Sequence, residues 1–520
     1  MLSRDVTSEV TRQLVPTCNR VIMELLKSCL YTFLLLILAV YSSAELQPIS
    51  VDPATQRFVD PDGRERFFHG SNVVVKHFPW HPELEGFAPG TFSEQDMELM
   101  QSLGLNVLRL GYMWPGVEPT RGKYNETYIE VIKKIVTLSA KYGIYVLLDM
   151  HQDVMSRKFC VEGFPNWAAN PGNARNFPEP LHAPYKIDPK TGYPSDEDCA
   201  KFPWASYYAT EAASVAFQNL YNNTDGLRDS WAAFWAKAAL TFRDFPSVIG
   251  YELINEPWSG DIYSDPLLMV PKMADRMNLA PAYEVLAKAI RSHDDQKCVF
   301  FEPVTWDDYG VGFESVPGGE KYKNRSVLSY HYYHLPDGPS GPVELNFKVR
   351  DNDLKRLQCG GMLTEFQASS GDLQSCLKTM ATADQYLQSW MGWIYKPYYP
   401  SNKKAPYKVA ALWDEDGLND VWVENTCRTY PHAVAGHTIA FNYNPVSLEF
   451  SLQYETSPKC KSTETLIYLN TDAYQKVGGG FKVSITPVGV AKWSSPQKNF
   501  VLVDHGGSSG TISVHISPGK

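Results

Sequence analysis

Two acidic residues stand where buried strands should end. Between Val248 and Trp258 an apolar run, Val248-Ile249-Gly250-Tyr251-Glu252-Leu253-Ile254, passes directly into Asn255-Glu256-Pro257. Proline has no amide hydrogen to give a ladder, so the strand stops there, and the residues before it are apolar enough to be buried on both faces. Glu256 therefore tops a buried parallel strand. Gly361-Met362-Leu363-Thr364 leads in the same way into Glu365, before a small polar loop, Ala368-Ser369-Ser370-Gly371. Two facing carboxyls at the carboxyl ends of barrel strands can cleave a glycosidic bond, one as nucleophile and one as acid and base, when they stand about 5 to 5.5 Å apart. Either acid alone could equally be half of an ion pair, so the rest of the chain must decide. No Cys-x-x-Cys or His/Cys spacing points to a metal, and His331 and His334 would face opposite sides of a strand. The reading implies neither a metal nor another cofactor.

Buried strand candidates alternate with helical patterns in a barrel rhythm. The strands fall at residues 66–75, 106–112, 144–151, 248–255, 298–304, 327–333, 361–365 and 409–414. Helical patterns lie at 93–103, 125–142, 230–244, 281–293 and 373–391. The gap from 151 to 230, rich in Pro, Asn, Gly, Trp and Tyr, interrupts the rhythm and predicts an elaborated loop folded over the active face. After Tyr430 short alternating runs at 438–441, 448–454, 465–469, 481–488, 500–503 and 511–516 predict a β-sandwich. The expected organisation is a (β/α)8 barrel over residues 45–430 and a β-sandwich over 431–520.

The chain has 520 residues and a net charge of -10, which argues against nucleic acid and anionic membrane as main partners and suits a neutral or lipid-linked substrate. Its 13 Trp and 30 Tyr offer flat rings for stacking on sugars. Lys27, an apolar run from Leu30 to Val40 and Ser42-Ser43-Ala44 read as a secretory signal over residues 1–44, with Met23 a possible start; the rival is an uncleaved signal anchor. Sequons begin at Asn125, Asn222 and Asn324. Seven cysteines follow the signal, and in an oxidising lumen Cys160 with Cys199, and Cys427 with Cys460, are the expected pairs.

These residues together resemble glycoside hydrolase family 5, in the retaining clan A, and among its members most closely the endoglycoceramidases. Asn255-Glu256-Pro257 is similar to the family's acid/base motif on the fourth strand, and Thr364-Glu365-Phe366 to its nucleophile motif on the seventh. Arg109, His151, His331, Tyr333 and Trp413 match further family positions on the second, third, sixth, sixth and eighth strands. The resemblance implies that Arg109 and Tyr333 hold the Glu365 carboxylate, that Asn255 bonds the sugar 2-hydroxyl, that His151 and His331 orient neighbours, and that Trp413 floors the site.

Substrate rests on shorter stretches. His151-Gln152-Asp153 resembles the endoglycoceramidase third-strand motif, Lys76 its sugar-binding lysine, and Trp204 a further sugar contact. The implied reaction is endo-hydrolysis of the β-glycosidic bond between oligosaccharide and ceramide, with transient contact to membrane or micelle lipid. An apolar groove for ceramide is expected from residues 159–167, 204–208 and 391–399. A β-glucosylceramidase or an endo-β-1,4-glucanase of the same family would share the eight family residues and differ in loop shape. A non-catalytic carbohydrate-binding protein would not require both Glu256 and Glu365.

Overall fold

The computed structural model describes residues 46–334, 340–368, 373–398, 412–414 and 417–520. The apolar segment near residues 30–40 lies outside them. Eight parallel strands close into a barrel: His69–Val73, Val107–Gly111, Tyr145–Asp149, Val248–Glu252, Cys298–Phe301, Ser326–Tyr332, Gly360–Phe366 and Ser389–Gly392. Each of the first seven corresponds to an expected strand. The eighth does not: it is Ser389–Gly392, pairing with the first strand through Trp390 and His69, whereas residues 409–414 were expected there. The preceding helix correspondingly stops at Gln385 instead of continuing to 391. Trp413–Asp414 forms a two-residue hairpin ladder with Gly417–Leu418, outside the barrel. The reason is packing. A side chain on Gly392 would clash with Ala368 beside the seventh strand, and Trp390 is buried against His69 and Phe366.

Alternate residues of the strands serve two cores. Val107, Leu147, Ile249, Phe300, Val327, Met362 and Met391 fill one end of the barrel interior with Phe68 and Tyr145. Leu108, Leu148, Tyr251, Phe301 and Leu328 join the large cluster that includes the helices Glu126–Lys141, Leu227–Phe242 and Ala280–Arg291. Burying each such large side chain contributes roughly 1.5 to 3 kcal/mol, and the barrel layers leave the site residues a rigid floor.

Three short strands before the barrel, Ser50–Asp52, Arg57–Val59 and Glu65–Arg66, join the carboxyl-terminal strands in one seven-stranded sheet, through Glu65 paired with Val434. Their residues Val51 and Phe58 also close the barrel interior, Phe58 lying edge-on to Phe68. A second, four-stranded antiparallel sheet, from His437–Tyr443, Phe450–Glu455, Phe481–Thr486 and Thr511–Pro518, completes the carboxyl-terminal sandwich.

The excursion after the third strand is stapled by a disulfide between Cys160 and Cys199, as expected. Cys427 and Cys460 are not joined. Cys427 is buried with its sulfur 3.0 Å from the Tyr468 hydroxyl, and Cys460 donates to the Ser462 carbonyl.

Candidate active site

Glu365 and Glu256 meet across the barrel mouth, where their carboxylate oxygens come within 4.8 Å of each other. The approach depends on a bulge in the seventh strand. Leu363 pairs with Tyr330 and Glu365 with His331, so Thr364 is the extra residue that turns Glu365 into line with the sixth strand. Glu365 is almost fully buried. Arg109 donates to Oε1 at 2.6 Å and the Tyr333 hydroxyl to Oε2 at 2.7 Å. Burial would push its carboxyl up, but His331 and Arg109, helped by His151 and the Tyr333 bond, hold it below the usual range.

Arg109, wholly buried, is the hub beneath the site. Besides Glu365 it reaches Glu252, Asn255 at 2.8 Å, Asn72 at 3.0 Å and Asp149 at 3.1 Å. Burial works against its charge, yet Asp149, Glu252, Glu365 and Glu302 raise the guanidinium well above its ordinary value. Asp149, Glu252, Glu302 and Asn72 belong to the site but were not anticipated from sequence. Asn72, Asp149 and Glu252 lie on or end barrel strands and Glu302 directly follows one, and that position was the available signal.

Glu256 is held differently. Its carboxylate accepts from His331 Nδ1 at 2.8 Å, and the same nitrogen lies 3.5 Å from Glu302 and 3.6 Å from Glu365. Burial works against charge on His331, but Glu302, Glu365 and Glu256 outweigh it and raise the imidazole to about 10. The Glu256 backbone has φ +42°, a left-handed conformation uncommon outside glycine. Its carbonyl accepts from Gln152 and from the Tyr208 hydroxyl, both at 3.0 Å, and its amide donates to Glu302 at 2.8 Å. Among the described residues, Glu256, His331 and Glu365 are the group of donors that converges closely enough to suggest a cation. A protonated His331 donates from Nδ1 and has no lone pair there to offer.

Lys76, His151 and Asp153 form one wall. Lys76 pairs with Asp153 and lies 3.9 Å from Glu162. His151 is bonded to Asp149 at 2.8 Å and, despite burial, raised to about 9, chiefly by that carboxylate. Asp153 is held low against its burial, first by Lys76 and then by His151. Burial pushes the neighbouring Glu162 up to about 8. Trp393 completes this wall, stacked on His151 with ring centroids 5.3 Å apart and beneath the Lys76 ammonium at 4.7 Å. It directly follows the eighth strand.

Trp413 is therefore not an eighth-strand residue. It is buried beside Phe87, Tyr395 and the Lys396 ammonium, 4.3 Å from its ring. Trp204 is 37% exposed and edge-on to Tyr208, whose hydroxyl bonds the Glu256 backbone carbonyl. Of the residues expected to line an apolar groove, Phe159, Phe164 and Met391 are core residues and Trp204 is exposed. Large exposed apolar side chains also follow the strands: Phe78 after the first, Leu267, Met269 and Val270 after the fourth, and Tyr309 after the fifth.

The family described as cellulase (glycosyl hydrolase family 5) matches residues 67–399, and the glycoside hydrolase family 5 C-terminal domain matches 428–516. The endoglycoceramidase of Cyanea nozakii is 54% identical over 458 residues, 87% of this chain and 90% of the relative. That of Hydra vulgaris is 53% identical over 440 residues, 84% and 83% of the two chains. Endo-glycoceramidase II from Rhodococcus sp., solved with ganglioside GM3, superposes with a TM-score of 0.69 at 22% identity, covering 88% of this chain and 98% of that one. At that identity the likeness shows the fold alone.

Proposed function

The chain belongs to glycoside hydrolase family 5, and from that premise we propose that it hydrolyses the β-glycosidic bond between oligosaccharide and ceramide of glycosphingolipids, with retention, releasing the oligosaccharide intact. The observation that carries the mechanism is the unequal bonding of two close carboxyls. Glu365 is bonded by Arg109 and Tyr333, while Glu256, within 4.8 Å, takes its side-chain bond from His331 alone among the described contacts.

In the first step the Glu365 carboxylate attacks the anomeric carbon, the bond to the ceramide oxygen breaks, and Glu256 gives that oxygen a proton. In the second, Glu256 takes a proton from water, the water oxygen attacks the same carbon, and Glu365 leaves as carboxylate. The His331 bond fixes one Glu256 oxygen and leaves the other for the substrate. Asn255, oriented by Arg109, serves the sugar 2-hydroxyl. Lys76, His151 and Asp153 supply hydrogen bonds to the sugar next to the ceramide, and Trp393 takes the stacking role expected of Trp413, because it lies against two of those residues.

Endoglycoceramidase names at 54% and 53% identity over most of both chains support the substrate. The exposed Phe78, Leu267 and Tyr309 give a lipid aglycone, and the micelle or membrane carrying it, an apolar lip to meet. The Cys160–Cys199 bond, and exposed Asn125, Asn222 and Asn324 in their sequons, support passage through the secretory route.

Incubation with a ganglioside and, separately, with a β-glucan tests the reading. Intact oligosaccharide and ceramide from the first are expected. Glucose released only from glucosylceramide, or cleavage of the glucan alone, would replace it by a glucosylceramidase or endoglucanase activity.

A further inference from the structure

Glu302 lies immediately after the fifth barrel strand and is 2% exposed. No sugar-contact or acid/base role draws on it, yet it reaches both groups that locate Glu256. One oxygen accepts the Glu256 amide hydrogen at 2.8 Å, and the other lies 3.5 Å from His331 Nδ1. Its own carbonyl accepts from the Tyr283 hydroxyl at 2.8 Å, which ties this segment to the helix Ala280–Arg291. The amide it holds belongs to a residue at φ +42°. That conformation persists in a non-glycine residue when surrounding bonds impose it. Gln152 and Tyr208 grip the carbonyl of the same residue. Glu302 is the acceptor on the other side.

We propose that Glu302 is a positioning residue for the acid/base: by holding the strained Glu256 amide and standing beside His331, it fixes where the Glu256 carboxyl meets the leaving oxygen and the incoming water. The inference rests on the assignment of Glu256 and Glu365 made above. The charged and titratable groups facing Glu302 are His331, Glu256, Glu252 and Arg109, with Tyr283 bonded to its backbone. Burial, above all, pushes its carboxyl up to about 8.

Glu302→Asp keeps the acid but withdraws its oxygens by one methylene, and Glu302→Gln keeps the reach and removes the acid. On ganglioside, Glu302→Asp should lower kcat by about 10- to 100-fold with KM little changed, since small misplacements of a reacting group carry penalties of this order. Glu302→Gln should be several-fold less impaired than Glu302→Asp. On an activated aryl lactoside, azide should restore turnover of Glu302→Asp and give the β-glycosyl azide, because the fault lies in the base-requiring step. A purely structural defect would leave azide without effect, and a raised KM at wild-type kcat would place Glu302 in substrate binding; either result overturns the proposal. A full-speed Glu302→Asp does so as well. Failure of the underlying assignment is distinguished by Glu365→Gln, which would then remain active whatever Glu302 does.

Discussion

The two carboxyls at the barrel mouth are secured by opposite means. Glu365 is gripped by its side chain, between the Arg109 guanidinium and the Tyr333 hydroxyl. Glu256 has one side-chain bond, to His331, and is otherwise gripped by its backbone, through Glu302 on one side and Gln152 with Tyr208 on the other. A nucleophile must stay ionised, so a permanent cation against its oxygens helps it. An acid that must later be a base has to exchange a proton, and an arginine bonded to its oxygens would bias it to one state. Main-chain fixation adds precision without adding a further cation to the His331 imidazole that already meets one Glu256 oxygen.

The most severe way to break this contrast is to disable the side held by its side chain. Glu365→Gln should cut turnover by at least about 10⁴-fold, because no covalent route remains. The fold should survive, since Arg109 keeps Glu252 and Asp149. Kinetics with a thermal melt checks both parts, and substantial remaining activity would show that another group is the nucleophile.

Disabling the other side should be less complete and partly reversible. Glu256→Ala should lose about 10²- to 10⁴-fold on ganglioside, yet recover with azide on an activated aryl lactoside, yielding a glycosyl azide of β configuration by two inversions. An α-azide by NMR would mean direct attack on the substrate and would remove the contrast between the two acids.

A smaller effect sharpens where the sugar leans. Trp393→Ala should lower kcat/KM on ganglioside by roughly 3- to 10-fold, as loss of one aromatic contact of about 0.5–1.5 kcal/mol implies. Trp413→Ala, which removes buried packing against Phe87 and Lys396, should act mainly on the melting temperature. Reversal of this ranking would restore Trp413 as the stacking ring.

The smallest effect is electrostatic. His331 is raised to about 10, so between its ordinary value near 6.5 and about 10 the folded chain keeps a proton that the unfolded chain has released. Its contribution to stability is complete below about 6.5 and fades as pH rises through about 10. Melting temperature should decline across that window, and His331→Asn should flatten the decline. An identical slope in the variant would assign it to other groups.

Glu256, Glu365, Arg109, His331 and Tyr333 were legible because each sits at a strand end or in a short motif whose chemistry is local. Asp149, Glu252 and Glu302 end or follow strands too, but their worth comes from converging on Arg109 and His331 across the barrel, which one strand's sequence does not carry. The eighth strand was misread for a related reason. Residues 373–391 hold an amphipathic pattern in which a four-residue strand, Ser389–Gly392, has no periodicity of its own. Trp393 was lost with it. The positive φ at Glu256 runs against the extended backbone that the following Pro257 favours, and the Gln152, Tyr208 and Glu302 bonds that maintain it come from distant positions.

The three strands between Ser50 and Arg66 share a sheet with Tyr430–Val434 and the strands beyond it, so the earliest described part of the polypeptide waits for the latest. During vectorial synthesis the barrel strands emerge before Glu65 has its partner at Val434, some 370 residues downstream. Until that pairing forms, the edge of Glu65–Arg66 lacks its neighbour and the Phe58 plug is tethered from one side only, a long-range closure of the kind that slows folding. Shortening the chain behind the barrel would thus injure its floor as well as remove a sandwich, and a chaperone attending this protein would be needed longest for residues that left the ribosome before the barrel did.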